Sequence, residues 1–278
     1  MKVRVVRGLG WSAVQTAGMR LVAFLVYPIL ARILGPETYG LVALATVYIA
    51  ALDIFSDVSF GAAIEQRQDL QPEHLDTIFW LFLVLGLALT GVSLAGAPVV
   101  ARFFDEPAIA AVVRWLSLGF LLQVVSGVQT SLLRRDLRMK RLASYNLASS
   151  VIGGVCGIVM AVGGMGVWSV VAQRLVTQAT LTLMLWLGSS WRPQWRFSRR
   201  HLQDVSGFGL SVMGNRVLNY LNRQFDQLLI GRVLGKVELA YYFNASKLQT
   251  LATNMLIGTF SQVAVPAFSR LQDDRPRF

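Results

Sequence analysis

Cysteine occurs once in this 278-residue chain, at Cys156 inside an apolar run, so no intrachain disulfide can form. Histidine occurs twice, at His74 and His201, and neither has Cys, His or carboxylate neighbours at ligand spacing, so no metal is expected. No Gly-x-x-x-x-Gly-Lys-Ser/Thr loop is present, which excludes a recognisable P-loop ATPase, and no cofactor is expected. Charge is also scarce: 15% of residues are charged, where a soluble domain carries roughly a quarter. Acidic residues are the scarcer sign, 15 against 26 Lys and Arg.

What fills the chain instead is hydrocarbon. Hydrophobic residues make up 54% and the mean hydropathy is +0.53. Apolar runs recur at about the 20-residue length that spans a bilayer as a helix. The expected fold is an all-α polytopic membrane protein of about eight transmembrane helices, near 10–34, 40–60, 78–100, 108–133, 143–163, 165–187, 205–233 and 236–262. Lys2, Arg4 and Arg7 before the first run imitate a signal peptide, but Arg20 interrupts the run and more spans follow, so a retained first helix is expected. Pro28 predicts a kink inside that helix, and Gly35-Pro36 a turn into the second. Gly153-x-x-x-Gly157 predicts close approach of the fifth span to a neighbour.

The net charge of +11 suggests nucleic acid only in a soluble protein. Here sixteen Lys and Arg fall on one side of the spans, at 2–7, 67, 134–141, 192–200 and 270–277. Four fall on the other: Arg32, Arg102, Arg232 and Lys236. The positive-inside rule puts both ends of this chain in the cytoplasm. Trp168, Trp186, Trp191 and Trp195 near span ends fit an interfacial belt.

The repeating unit is read from an echo at an offset of 200 residues: Ala31 to Gly35 (ARILG) against Gly231 to Gly235 (GRVLG). It predicts a six-helix bundle over 1–200 and the first two helices of an incomplete second bundle over 201–278. On that reading the chain is a truncated product or fragment.

Polar residues in the spans mark the expected pathway. Ser211, Asn215, Asn219, Asn222 and Asp226 step by four, four, three and four, one helix face. Asn244, Lys247 and Asn254 make a weaker stripe on the next helix. Charges buried in a membrane face water or a partner. Gln15, Arg20, Arg174, Asn215, Arg216, Asn219, Asn222, Arg223 and Lys247 are therefore expected along a substrate pathway. Asp53 and Asp57 are candidate partners of Arg20, and Asp226 of Arg223. The Asn groups also suit interhelical hydrogen bonds, and the basic run Arg134 to Arg141 serves as an orientation signal or an attraction for anionic lipid headgroups or a pyrophosphate.

Six stretches stand out together: Ala31 to Ala45 (ARILGPETYGLVALA), Asp53 to Gly61 (DIFSDVSFG) with Gln66, Leu132 to Arg138 (LLRRDLR), Gly164 to Val171 (GMGVWSVV), Asp226 to Gly235 (DQLLIGRVLG) and Pro266 to Gln272 (PAFSRLQ). As a set they resemble the Wzx-type polysaccharide flippases, the O-antigen and exopolysaccharide exporters that include the colanic acid group, of the multidrug/oligosaccharidyl-lipid/polysaccharide (MOP) superfamily. The resemblance implies a two-bundle protein of the bacterial inner membrane, not an enzyme. It would flip an undecaprenyl-pyrophosphate-linked oligosaccharide by alternating access through a cationic cavity. Membrane lipids and polysaccharide assembly proteins are the implied partners. Arg20, Arg216 and Lys247 fit such a cavity. The alternatives are a cation-coupled drug exporter of the same superfamily, which would favour buried acids, and a polymerase or ligase, which would need a sizeable outer loop.

Overall fold

The computed structural model describes residues 2–56, 64, 71–195, 222, 224–247 and 249. Among them the chain is helical throughout, with five long elements: α1 (Lys2–Ser56), α2 (Pro72–Phe104), α3 (Ala108–Arg135), α4 (Met139–Val162) and α5 (Val167–Gly188). Two shorter helical segments, 224–233 and 236–247, follow around a turn at Gly235. The five long elements are long and apolar enough to cross a membrane.

α1 is two spans rather than one. Gly35 has φ 72 and ψ 170, non-helical angles in the left-handed half of φ that a side chain would oppose. Pro36 follows it and cannot donate to the preceding turn. The arms 10–34 and 36–56 are about 37 and 32 Å long at 1.5 Å per residue, enough to cross singly. The predicted turn is therefore a sharp break in a continuing helix, and the second span resumes at 36 rather than 40. Pro28 lies in helical geometry, so the departure falls at Gly35 and not at the proline.

α2 begins six residues earlier than expected. Pro72 opens it, and Gln71 N–H donates to Nδ1 of His74 across a capping box at 3.2 Å. Glu73, His74 and Asp76 precede the expected span start at 78, yet His74 and Asp76 are helical and buried, at 3% and 1% exposure. Asp76 accepts the Gln194 N–H at 3.1 Å, and Trp80 donates to the Gln194 carbonyl at 2.8 Å. The chain leaving α5 is thereby tied back to the start of α2.

Packing links α1 to α4, α4 to α5, α5 to α3 and α3 to α2, closing a bundle. The small-residue pair explains the α4–α5 contact. A methyl placed on Gly157 would lie 2.8 Å from Cβ of Gln173, and one on Gly153 would lie 2.7 Å from the Gln173 carbonyl and strike Thr177.

Two apolar cores occupy opposite ends. At the Gly35 end, Leu30, Tyr39, Leu44, Val100, Phe104, Ile109, Val113 and Phe120 pack with Leu239, Ala240 and Phe243. At the other end Ile64, Leu75, Ile78, Phe79, Phe82, Val124 and Val128 pack beneath Trp80, Trp186 and Trp191. The 224–247 hairpin is fixed to the first end. Lys236 pairs with Glu106 at 2.7 Å, Arg232 lies over the Phe103 ring at 5.7 Å, and Gly40 meets the Lys236 carbonyl so closely that no side chain fits between. Gly35 and Gly235, the matching positions of the echo, both have positive φ, 72 and 99.

Candidate functional site: a polar groove through the helical bundle

Three adjoining cavities run between α1, α3, α4 and α5. The first, about 400 Å³, is lined by Gln15, Gln123, Ser126, Thr130, Ser131, Arg134, Asn146 and Gln178, with Phe82, Val124 and Leu142 between them. The second is a constriction of about 60 Å³ at Asp53, Gln123, Arg174 and Gln178. The third, about 320 Å³, is lined by Thr46, Ser150, Gln173, Arg174, Thr177 and Gln178 among Val and Leu side chains. Gln178 borders all three, Gln123 the first two and Arg174 the last two, so the cavities share walls and line up as an interrupted polar groove.

The polarity of the groove comes from uncharged groups. Several hydroxyls are satisfied by their own helix: Ser126 donates to the Gln123 carbonyl at 3.0 Å, Thr130 to Ser126 at 2.9 Å and Thr177 to Gln173 at 2.7 Å. Their oxygen lone pairs remain to accept from a ligand. Amides of Gln and Asn offer a donor and an acceptor each. Such a lining suits a hydroxyl-rich group better than a hydrocarbon one.

Charge is concentrated at the constriction and at one end. Asp53 from α1 and Arg174 from α5 form an ion pair at 3.2 Å. Lys247 lies close enough to Arg174 for the two charges to repel, and its ammonium sits 5.2 Å from the Phe243 ring centroid. Arg174 therefore lies between a carboxylate and a second cation. Arg134 stands at the far end of the first cavity.

Of the residues expected on a pathway, Gln15 and Arg174 line the groove, whereas Lys247 feels the charge of Arg174 without lining any of the three cavities. Arg20 is half-buried on α1, five residues beyond Gln15, and engaged within the molecule. Asp53 meets Arg174, an interhelical partner that sequence proximity does not suggest. Asn222 is helical and exposed. Asp226 accepts a hydrogen bond from the Tyr242 hydroxyl across the hairpin. Asp57, Asn215, Arg216, Asn219 and Arg223 lie outside the described residues.

The sequence reading missed Gln123, Ser126, Thr130 and Asn146, and read Arg134 only as part of the basic run. Gln123, Ser126, Thr130 and Arg134 had a signal: they step by three, four and four along α3, one face of the helix. Asn146 had a weaker one: Ser150 lies four residues on along the same face of α4 and lines the third cavity.

Comparison with known proteins gives the family. Residues 29–278 match the family described as "Polysaccharide biosynthesis protein". The chain is 28% identical over 273 residues to the succinoglycan biosynthesis transport protein ExoT of Rhizobium meliloti, covering 98% of this chain and 55% of the relative. It is 25% identical to the lipopolysaccharide biosynthesis protein WzxC of Escherichia coli, over 99% of this chain and 56% of that one. It is also 25% identical to the teichuronic acid biosynthesis protein TuaB of Bacillus subtilis, over 96% and 56%. The chain thus spans about half the length of these relatives. A solved MOP superfamily transporter from Pyrococcus furiosus shares the fold, with a TM-score of 0.51 and 18% identity over 92% of this chain and 60% of that one. The chain belongs to the polysaccharide biosynthesis protein family, and its helical bundle shares the fold of that solved transporter.

Proposed function

We propose that the protein moves a lipid-linked oligosaccharide, carried on undecaprenyl pyrophosphate, across the bacterial inner membrane for surface polysaccharide synthesis. The observation that carries this reading is the run of adjoining amide- and hydroxyl-lined cavities, with Arg174 lining two of them and Lys247 close to Arg174. Sugar hydroxyls would exchange hydrogen bonds with Gln15, Gln123, Asn146 and Gln178. The pyrophosphate would be drawn to the cations by charge-assisted hydrogen bonds. The polyprenyl tail would stay in lipid. Residues 1–200 would form one bundle and 201–278 the beginning of a second. Arg20, Asn215, Arg216, Asn219, Asn222 and Arg223 would add to the pathway where the two face each other.

Alternating access has a natural barrier at the Gly35 end, where the hairpin is packed and ion-paired onto α1 and α2. Charge asymmetry assigns that end to the outside and the Arg134 end, like the N-terminus, to the cytoplasm. The drug-exporter reading is less well supported, because Asp53, the acid that lines the groove among the described residues, is already neutralised by Arg174.

The test is expression from the complete gene in cells lacking their own exopolysaccharide flippase, with staining for surface polymer. Restored polymer is expected, and its loss in an Arg20→Ala, Arg216→Ala double variant that still inserts. Normal export by the double variant would overturn the assignment of those arginines. Failure of the unaltered protein, tested across recipients that make different polymers, would overturn the transport reading.

A further inference from the structure

A separate cavity of about 260 Å³ lies at the end opposite Gly35, between α2, α3, α5 and the chain leaving α5. It shares no lining residue with the groove. Its walls include Leu75, Leu132 and Leu185, with Trp191, Ser189 and Ser190 on one side and Asp136 and Arg138 at the surface. Gln129 also lines it, at 1% exposure, and neither its amide nitrogen nor its amide oxygen has a hydrogen-bond partner among the described residues. A buried amide with both ends unpaired is destabilising, so something polar belongs there. The cavity has room for much more than the roughly 30 Å³ share of one water molecule.

We propose that this cavity binds a headgroup carrying adjacent hydroxyls beside a phosphate. A primary amide offers a donor and an acceptor side by side, which matches two neighbouring hydroxyls. Ser190 supplies a further hydroxyl, while Ser189 already accepts the Trp191 N–H at 3.3 Å. The Trp191 indole gives a flat apolar face for the carbon side of a sugar or glycerol unit. Arg138 is held by Asp136 at only 3.7 Å, a loose exposed pair that a phosphate oxygen can replace. Two sources share this chemistry: the sugar phosphate of a transported lipid, and a phosphatidylglycerol headgroup of the bilayer. With the first source the cavity is a loading subsite and rests on the transport reading. With the second it is independent of it.

The experiment uses protein from the complete gene in phosphatidylcholine nanodiscs. Three compounds are added separately: glucose 1-phosphate, dioleoylphosphatidylglycerol, and dioleoylphosphatidic acid, which has the phosphate without the diol. Hydrogen exchange at residues 188–191 reports occupancy. At least one diol compound is expected to protect them, with affinity reduced at least tenfold by Gln129→Leu and several-fold by Ser190→Ala. Without ligand, Gln129→Leu should melt no lower than the parent, since it removes an unpaired buried amide. Protection by glucose 1-phosphate alone would support the sugar source, and by phosphatidylglycerol alone the lipid source. No protection by either, equal protection by phosphatidic acid, or unchanged affinity in both variants would overturn the proposal and leave a water-filled cavity. Binding is measured without transport, so its failure leaves the transport reading standing.

Discussion

At the scale of single residues, the Asp53–Arg174 pair decides how the groove constriction behaves. Its side chains are 32% and 43% exposed, so the pair itself stabilises modestly, by about 1 kcal/mol or less. Removing one partner does more, because it leaves a charge facing a narrow space of about 60 Å³. Arg174→Gln should therefore lower the melting temperature of the purified protein. Asp53→Asn combined with Arg174→Gln should recover most of that loss while still reducing export, since the cation is gone. Melting curves of the single and double variants check this. An additive loss in the double variant would contradict the pairing. Sequence made both residues candidates but not partners, because 121 positions separate them and only the packing of α1 beside α5 brings them together.

At the scale of elements, the fold was legible where backbone chemistry is local. Gly35-Pro36 marks a turn in any helical context, and the structure breaks α1 there. Gly153 and Gly157 mark a close crossing, and they sit under Gln173 and Thr177 of α5. Helix starts were less legible. α2 runs six residues further back than hydropathy suggests, because Asp76 is satisfied by a backbone N–H from a distant segment. Polarity counts could not anticipate that bond. The groove was half legible for the same reason. Arg174 stands out as a charge among apolar residues, whereas Asn146 is one amide in a span and gains most of its meaning opposite Gln15 and Gln178. The α4–α5 crossing gives a prediction at this scale. Gly153→Leu should separate the helices and cost about 1–3 kcal/mol or more, read as lower melting temperature and reduced membrane-inserted yield. Unchanged stability would mean the close approach is not needed.

At the scale of the whole molecule, the two ends differ. The Gly35 end is sealed by an apolar core shared between the first spans and the 224–247 hairpin, with Lys236 clasping Glu106 at 2.7 Å. If the protein transports by alternating access, as proposed, this seal must open. Glu106→Cys with Lys236→Cys, bridged by a short bis-methanethiosulfonate cross-linker that spans the length of the lost ion pair, should stop export, and reduction of the two mixed disulfides should release it. Export that continues at full rate in the cross-linked protein would show that the seal does not gate transport.

The central claim is that the amide-lined groove carries sugar. The most direct measurement reconstitutes the protein from its complete gene in vesicles with a lipid-linked oligosaccharide and follows arrival of the sugar at the opposite leaflet with an impermeant lectin. The account predicts transport by the parent protein and a loss of about tenfold or more in a Gln123→Leu, Gln178→Leu variant that inserts normally, roughly 1.4 kcal/mol or more from the missing hydrogen bonds. Equal rates for the parent and that variant would contradict it.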